Sequence, residues 1–236
     1  MKHIVRLLAT VALLSAHTLL WGQGTPVAIT NNDMPYLCTF ENDADTTHWV
    51  TVNGTQTNGW YIGEAAALDG SRSLYVSKDH GESHSYELTS PSHSYAYLPV
   101  TFSQAGEYRM EFSWRCRGES TGMAIYDYLK VFLVPDSVSP VSGQAPASTW
   151  VGISDRMASV TNRSEFSTTI EIEEEYLGTY KIVLYWTNDV SSGFNPPALV
   201  DNFSLSRITC HTPDQISIVP AQTRAHFLSY RESMSV

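Results

Sequence analysis

Residues Gly106 to Arg117 read GEYRMEFSWRCR. Tyr108, Met110, Phe112, Trp114 and Cys116 share one parity, and Glu107, Arg109, Glu111, Ser113, Arg115 and Arg117 share the other. Successive side chains of a strand point to opposite faces, so the alternation predicts a ribbon with one face in a core and the other in water. A helix would scatter the polar residues through its buried stripe. A sheet that keeps one face wet is antiparallel, because parallel sheets are covered on both sides.

Working outward from this ribbon, the same period recurs. Phe166, Thr168, Ile170 and Ile172 alternate with Ser167, Thr169, Glu171 and Glu173, and Tyr180, Ile182, Leu184 and Trp186 form the inward row of TYKIVLYW. Leu129, Val131 and Leu133 alternate with Tyr128, Lys130 and Phe132, a second face that is not purely polar and so predicts a strand covered on both sides or lying mid-sheet. Shorter strands are expected at Tyr36–Glu41, Trp49–Val52 before an Asn53-Gly54 turn, Gly59–Gly63, Ser73–Ser77, Tyr95–Phe102 and LVDNFSLSRI near the end. Between them run turn-rich loops, of which Pro135–Thr149 is the richest in Pro, Ser and Gly and reads as a long exposed connection. No stretch makes a convincing helix. The expectation is an all-β, two-sheet antiparallel sandwich.

At 236 residues the chain suits one large all-β domain. Its formal net charge of -10 argues against nucleic acid, whose phosphates need a basic stripe. The first 22 residues carry Lys2 and Arg6 ahead of LLATVALLSAHTLLWG, an apolar run too short and too interrupted for a comfortable membrane span. This is the pattern of a secretory signal, with cleavage expected after Gly22, so the chain is expected to be secreted or on the cell surface with no transmembrane segment after signal removal. Residues 23–35 read as a polar lead-in, 36–210 as the sandwich domain, and 211–236 as a poorly ordered tail or the truncated start of a further module. Three cysteines, Cys38, Cys116 and Cys210, permit one disulfide and show no metal-binding spacing. Cys116 belongs to the inward row of the ribbon.

Seven stretches then occur in a telling order: CTFE (38–41), NGWYIG (58–63), SLYVS (73–77), EFSWRCRGES (111–120), YDYLKVFLVP (126–135), YKIVLYWTND (180–189) and PPALVDNFSLS (196–206). As a set they resemble a β-jelly-roll module of secreted bacterial surface proteins. That module is related to the adhesin domains cleaved from gingipain-type proteases and, more distantly, to MAM domains. The resemblance covers Tyr36 to Cys210 and implies a jelly-roll sandwich used for adhesion, with a structural calcium where the first and last strands meet. The matching positions here are Glu41 and Asp201, with Asp43, Asn42 and Asn202 close in sequence to complete an oxygen shell.

Catalytic constellations are not apparent. His80, His84 and His93 lie in a Gly/Ser-rich loop that gives them no helical zinc spacing, and they read as solvated. Glu173, Glu174 and Glu175 form a run on a turn and not a pair facing each other across a glycosidic bond. Among many aromatics, which at strand parity are mostly core, Tyr126, Tyr128 and Phe194 flank loops and are the residues expected at an exposed ligand-binding rim. The function expected is therefore a non-catalytic secreted or surface module that binds a glycan or an extracellular protein. The alternative is a structural spacer of a larger surface protein, and a hydrolase is the least favoured reading.

Overall fold

The computed structural model describes residues 26–209. The expected signal segment, the start of the lead-in, Cys210 and the expected tail lie outside the described residues. In chain order the strands are β1 (Ile29–Thr30), β2 (Tyr36–Cys38), β3 (Val50–Val52), β4 (Gly59–Gly63), β5 (Ser73–Ser77), β6 (Ser92–Phe102) and β7 (Gly106–Cys116). They continue as β8 (Glu119–Thr121), β9 (Ala124–Pro135), β10 (Val151–Gly152), β11 (Val160–Ile172), β12 (Gly178–Asn188) and β13 (Leu199–Arg207). One sheet runs β1-β6-β12-β9-β10, with β3 on β6 and β8 on β9; the other runs β11-β7-β13-β5-β4, with β2 on β13. All pairings are antiparallel except β1 with β6. The fold is a two-sheet antiparallel jelly-roll sandwich.

The alternation of Gly106–Arg117 is realised in β7, which lies between β11 and β13. Tyr108, Met110, Phe112, Trp114 and Cys116 are all buried between the sheets, where they meet Leu98, Val100, Leu129, Val131, Leu184 and Trp186 of the opposite layer. Phe112 stacks on Phe166 of β11 at 4.8 Å and lies parallel to Phe203 of β13 at 6.3 Å. Such a side chain, fully removed from water, contributes about 1.5–3 kcal/mol by transfer alone.

The second face of β9 is covered as its sequence suggests. Tyr95, Phe132, Val134, Val183 and Tyr185 form a smaller cluster on the outside of the first sheet, joined by Val138 and Trp150. The connection between β9 and β10 is mostly exposed, but Trp150 turns inward against Phe132 (5.6 Å) and Tyr95 (5.9 Å). Lys181 fastens its beginning by donating to Asp136 Oδ1 at 2.7 Å and Val138 O at 3.1 Å. The expected exposed connection is thus a strap over apolar surface, which its Pro/Ser/Gly content hides.

Two other expectations shift. The lead-in is not merely polar approach, since Ile29 is buried in β1 against β6. The acidic loop after β2 holds one helical turn, α1 (Asp43–Thr46), capped by Asn42 Oδ1 on the Asp45 amide at 3.0 Å. Cys38 and Cys116 are buried free thiols, and burial pushes Cys38 up to about 11 and Cys116 further still. Any pairing with Cys210 lies outside the described residues.

Candidate functional site

Glu41 and Asp201, the two residues expected to hold a structural calcium, both accept hydrogen bonds from one loop, Leu68–Arg72. Glu41 Oε1 accepts the amides of Ser71 (2.9 Å) and Arg72 (2.8 Å), and its Oε2 accepts the Ser71 hydroxyl at 2.7 Å. Asp201 Oδ2 accepts the amides of Leu68 (2.9 Å) and Asp69 (3.1 Å), while Oδ1 accepts that of Asn202 (2.8 Å). Both carboxylates therefore clamp the segment Leu68–Arg72 through N–H donors. Burial, with Glu41 nearby, raises Asp201, and the same amides hold Glu41 below the usual carboxylate range. Asp43 instead pairs with Arg72 Nη1 at 2.9 Å on the surface. Asn202 sits at φ 49° beside a β-bulge of β13, a left-handed conformation that Asn tolerates.

Of the three histidines expected in one loop, His80 and His84 lie between β5 and β6, but His93 belongs to β6; His80 is exposed, whereas His84 and His93 are partly buried. His84 packs on Tyr75 at 5.7 Å, and its Nε2 lies 3.1 Å from the Pro197 carbonyl while Arg115 Nη2 lies 3.0 Å from its Nδ1. Arginine can only donate, so Nδ1 accepts and Nε2–H donates to the carbonyl, which fixes a neutral tautomer. Burial, then the Arg115 charge, hold its pKa down to about 4. His93 stacks on Tyr185, and His80 Nδ1 lies 3.0 Å from the Tyr61 hydroxyl.

The residues expected at the rim lie where β8, β9 and the loop after β12 converge. Glu119 pairs with Asp127 and Ser120 with Ile125, so Tyr126 is the extra residue of a β-bulge. It is 45% exposed. Phe194 is 52% exposed, bridges to Gly118, and carries the Arg117 guanidinium 4.4 Å from its ring centre. Tyr128 does not join them: it is half-buried under the Arg156 guanidinium at 4.6 Å, against Tyr185. Met123 in the β8–β9 turn and Val190 in the following loop add further exposed apolar surface at this corner.

Beneath that surface lies a group of carboxylates that the sequence reading did not single out. Glu119, Asp127 and Asp189 each present an oxygen within 4.8 Å of the others'. The like charges of Glu119 and Asp127 are direct cross-strand partners, an arrangement that is ordinarily destabilising. At an effective dielectric of about 20, each such pair repels by on the order of 3 kcal/mol. Asp127 has no exposed surface; its Oδ2 accepts the Tyr86 hydroxyl at 2.6 Å and its Oδ1 the Asp189 amide at 3.0 Å. Burial, opposed by those donors and helped by Asp189 and Glu119, pushes Asp127 up to about 6.

The surrounding chain is built tightly on this group. Asn188, the residue before Asp189, is buried and donates to Ser90 O at 2.8 Å while accepting from Asn58 Nδ2 at 2.9 Å. A Cβ at Gly193 would collide with the Tyr86 hydroxyl and lie 2.7 Å from Asp127 Oδ2; one at Gly118, at φ 55°, would collide with the Asp127 carbonyl.

A second surface feature is an open groove of about 500 Å³ on the wet side of the other sheet, lined by Leu37, Glu111, Arg163, Glu165, Ser167 and Ser204 among others. Its lining mixes apolar residues, Leu37, Phe112 and Phe166, with polar ones that pair with each other, as in Arg163 Nε to Glu165 Oε1 at 2.7 Å.

No protein-family model matches the chain, and no curated protein matches it significantly. Solved structures similar to it include a cleaved adhesin domain of Lys-gingipain from Porphyromonas gingivalis W83, at 14% identity over 73% of this chain and 98% of that one, with a TM-score of 0.44. A xylan-binding domain from Paenibacillus barcinonensis is similar at 12% identity over 73% and 99%, also with a TM-score of 0.44. The enzymatically active domain of a tailspike protein of bacteriophage CBA120 is similar at 10% identity over 72% of this chain but only 20% of that one, with a TM-score of 0.45.

Proposed function

We propose that this chain is an exported, non-catalytic binding module that takes a glycan at the corner formed by the β8–β9 hairpin and the loop after β12. The observation that carries the reading is the joint exposure of Tyr126 and Phe194 on that corner, 45% and 52%; among the described residues the one other aromatic as exposed is Tyr176, at 46%. Aromatic faces offer the apolar area on which a sugar ring stacks, and neighbouring polar groups fix its orientation. Tyr126 is held out by a bulge and Phe194 by its bridge to Gly118, so both are presented by ordered backbone at little entropic cost to a ligand.

The carboxylates below do not suit glycoside hydrolysis. Asp127 offers no surface to a substrate, and both its oxygens already accept hydrogen bonds. The net charge of -10 argues against a nucleic-acid ligand, whose phosphates favour a basic surface. Among the described residues no helix is long and apolar enough to cross a membrane.

A glycan array probed with the purified chain, repeated with Tyr126→Ala and Phe194→Ala, tests the reading. Binding that both substitutions weaken supports it. Silence on the array, or binding indifferent to both, removes it and leaves an extracellular protein ligand or a spacer role.

A further inference from the structure

We infer that Glu119, Asp127 and Asp189 form a site for a hard divalent cation, calcium first among them, which ties the β8–β9 hairpin to the loop after β12. Three observations carry this. The oxygens of the three residues lie within 4.8 Å of one another, close enough to share one ion. Glu119 is only 8% exposed, and its Oε2 is buried without any hydrogen-bond partner among the described residues. A carboxylate oxygen in that position needs a donor or a cation, and an unmatched one is a cost that native structures rarely carry. No lysine, arginine or histidine makes an ion pair with any of the three among the described residues.

The remaining lone pairs point the same way. Asp189 spends Oδ1 on the amide and hydroxyl of Ser191, both at 2.7 Å, which leaves Oδ2 without a protein donor. Each Asp127 oxygen accepts one hydrogen bond and retains a second lone pair. The donor set is thus oxygen alone, with neither histidine nor cysteine, which selects against zinc and copper and for calcium or magnesium. Calcium accepts irregular mixtures of monodentate and bidentate carboxylates completed by water, whereas magnesium demands a near-octahedral shell. The direct cross-strand pairing of Glu119 with Asp127, unfavourable for two bare anions, is the arrangement a shared cation turns to advantage.

This site is separate from the Glu41 and Asp201 clamp, whose oxygens are engaged by backbone amides. It also stands without the glycan reading, since an ion there would order the corner whatever ligand the corner takes.

The test is calcium binding by the chelator-treated full chain, followed by titration calorimetry with calcium chloride and by terbium emission excited through tyrosine, Tyr86 being bonded to Asp127. Glu119→Gln and Asp189→Asn are compared with Asp201→Asn, with far-UV circular dichroism confirming that each is folded. One equivalent of calcium is expected in the wild type, weakened at least tenfold by Glu119→Gln and by Asp189→Asn and retained in Asp201→Asn. Wild-type affinity in both Glu119→Gln and Asp189→Asn, loss confined to Asp201→Asn, or no calcium bound at millimolar concentration overturns the inference. Asp189 is partly exposed and on a loop, so Asp189→Asn keeps the test decisive if Glu119→Gln does not fold.

Discussion

The Tyr86 hydroxyl donates to Asp127 Oδ2 at 2.6 Å, across 41 residues of sequence, and accepts the Phe194 amide at 3.1 Å. One phenol thereby joins the loop after β5, the strand β9 and the loop after β12. Its ring packs edge-on against Trp186 at 5.1 Å, so Tyr86→Phe keeps the packing and removes only the O–H. The buried Asp127 oxygen then loses its donor, while the Phe194 amide keeps the Gly118 carbonyl at 3.1 Å, a loss worth about 1–3 kcal/mol. For a domain of this size that is a fall in Tm of roughly 3–10 °C. A thermal melt of Tyr86→Phe that coincides with wild type would mean the network contributes nothing to folding.

A sharper contrast is expected along β7. Phe112→Ala opens a cavity between Phe166 and Phe203 and is predicted to cost about 3–5 kcal/mol. Glu111→Ala, one residue away on the wet face and bonded only to the Ser167 hydroxyl at 3.0 Å, is predicted to stay within about 0.5 kcal/mol. Urea unfolding of the two variants measures both. Similar losses would show that the two faces of β7 are not as differently solvated as the sandwich requires.

That contrast is also why the fold is legible in the sequence. β7 and β11 bury mainly one row of side chains over many residues, and a period of two repeated that often has no helical counterpart, whereas mid-sheet β12 buries both rows. β9 announces its covered second face through Tyr128 and Phe132, but the cover itself, Val138 and Trp150, sits in a stretch whose composition speaks only of turns. The candidate site is less legible for a local reason. Parity places Tyr126 and Tyr128 on one side, and the bulge at Tyr126 interrupts the alternation between them, leaving one ring exposed and the other under Arg156. Glu119, Asp127 and Asp189 are separated by 8 and 62 residues, and nothing in their neighbourhoods signals convergence; only the pairing of β8 with β9 and the exit of β12 bring them together.

Acid should find a specific weakness at His84. Unfolded, this imidazole titrates near 6.5; folded, burial and Arg115 hold it to about 4. Between those values the unfolded chain binds the extra proton, so stability is complete above the unfolded pKa and is lost as pH falls toward 4. From pH 7.5 to 5.0 the loss attributable to His84 is on the order of 1–2 kcal/mol, allowing for the partial exposure of the ring. Other groups titrate in the same window, so the quantity to read is the difference in unfolding free energy between wild type and His84→Gln at the two pH values. A difference that does not change with pH would show that His84 is as free to protonate in the folded chain as in the unfolded one.

Tyr126 and Phe194 are predicted to separate binding from stability. Tyr126 is the unpaired residue of its bulge and Phe194 turns its ring to solvent against Arg117, so neither fills a core position. Truncating either to Ala should shift the unfolding free energy by no more than about 0.5–1 kcal/mol. Loss of the stacking face should nonetheless weaken retention on a bound glycan by about tenfold, the equivalent of about 1.4 kcal/mol. Tyr128→Ala, which strips a half-buried ring from beneath Arg156 and beside Tyr185, should do the reverse, lowering stability while leaving retention nearly unchanged. Affinity electrophoresis in glycan-containing gels, run beside chemical unfolding of the same three proteins, reads both quantities. If Tyr128→Ala abolishes retention while Tyr126→Ala and Phe194→Ala do not, the ligand lies on the outer side of the first sheet, near the strap between β9 and β10, and the corner is not the binding surface.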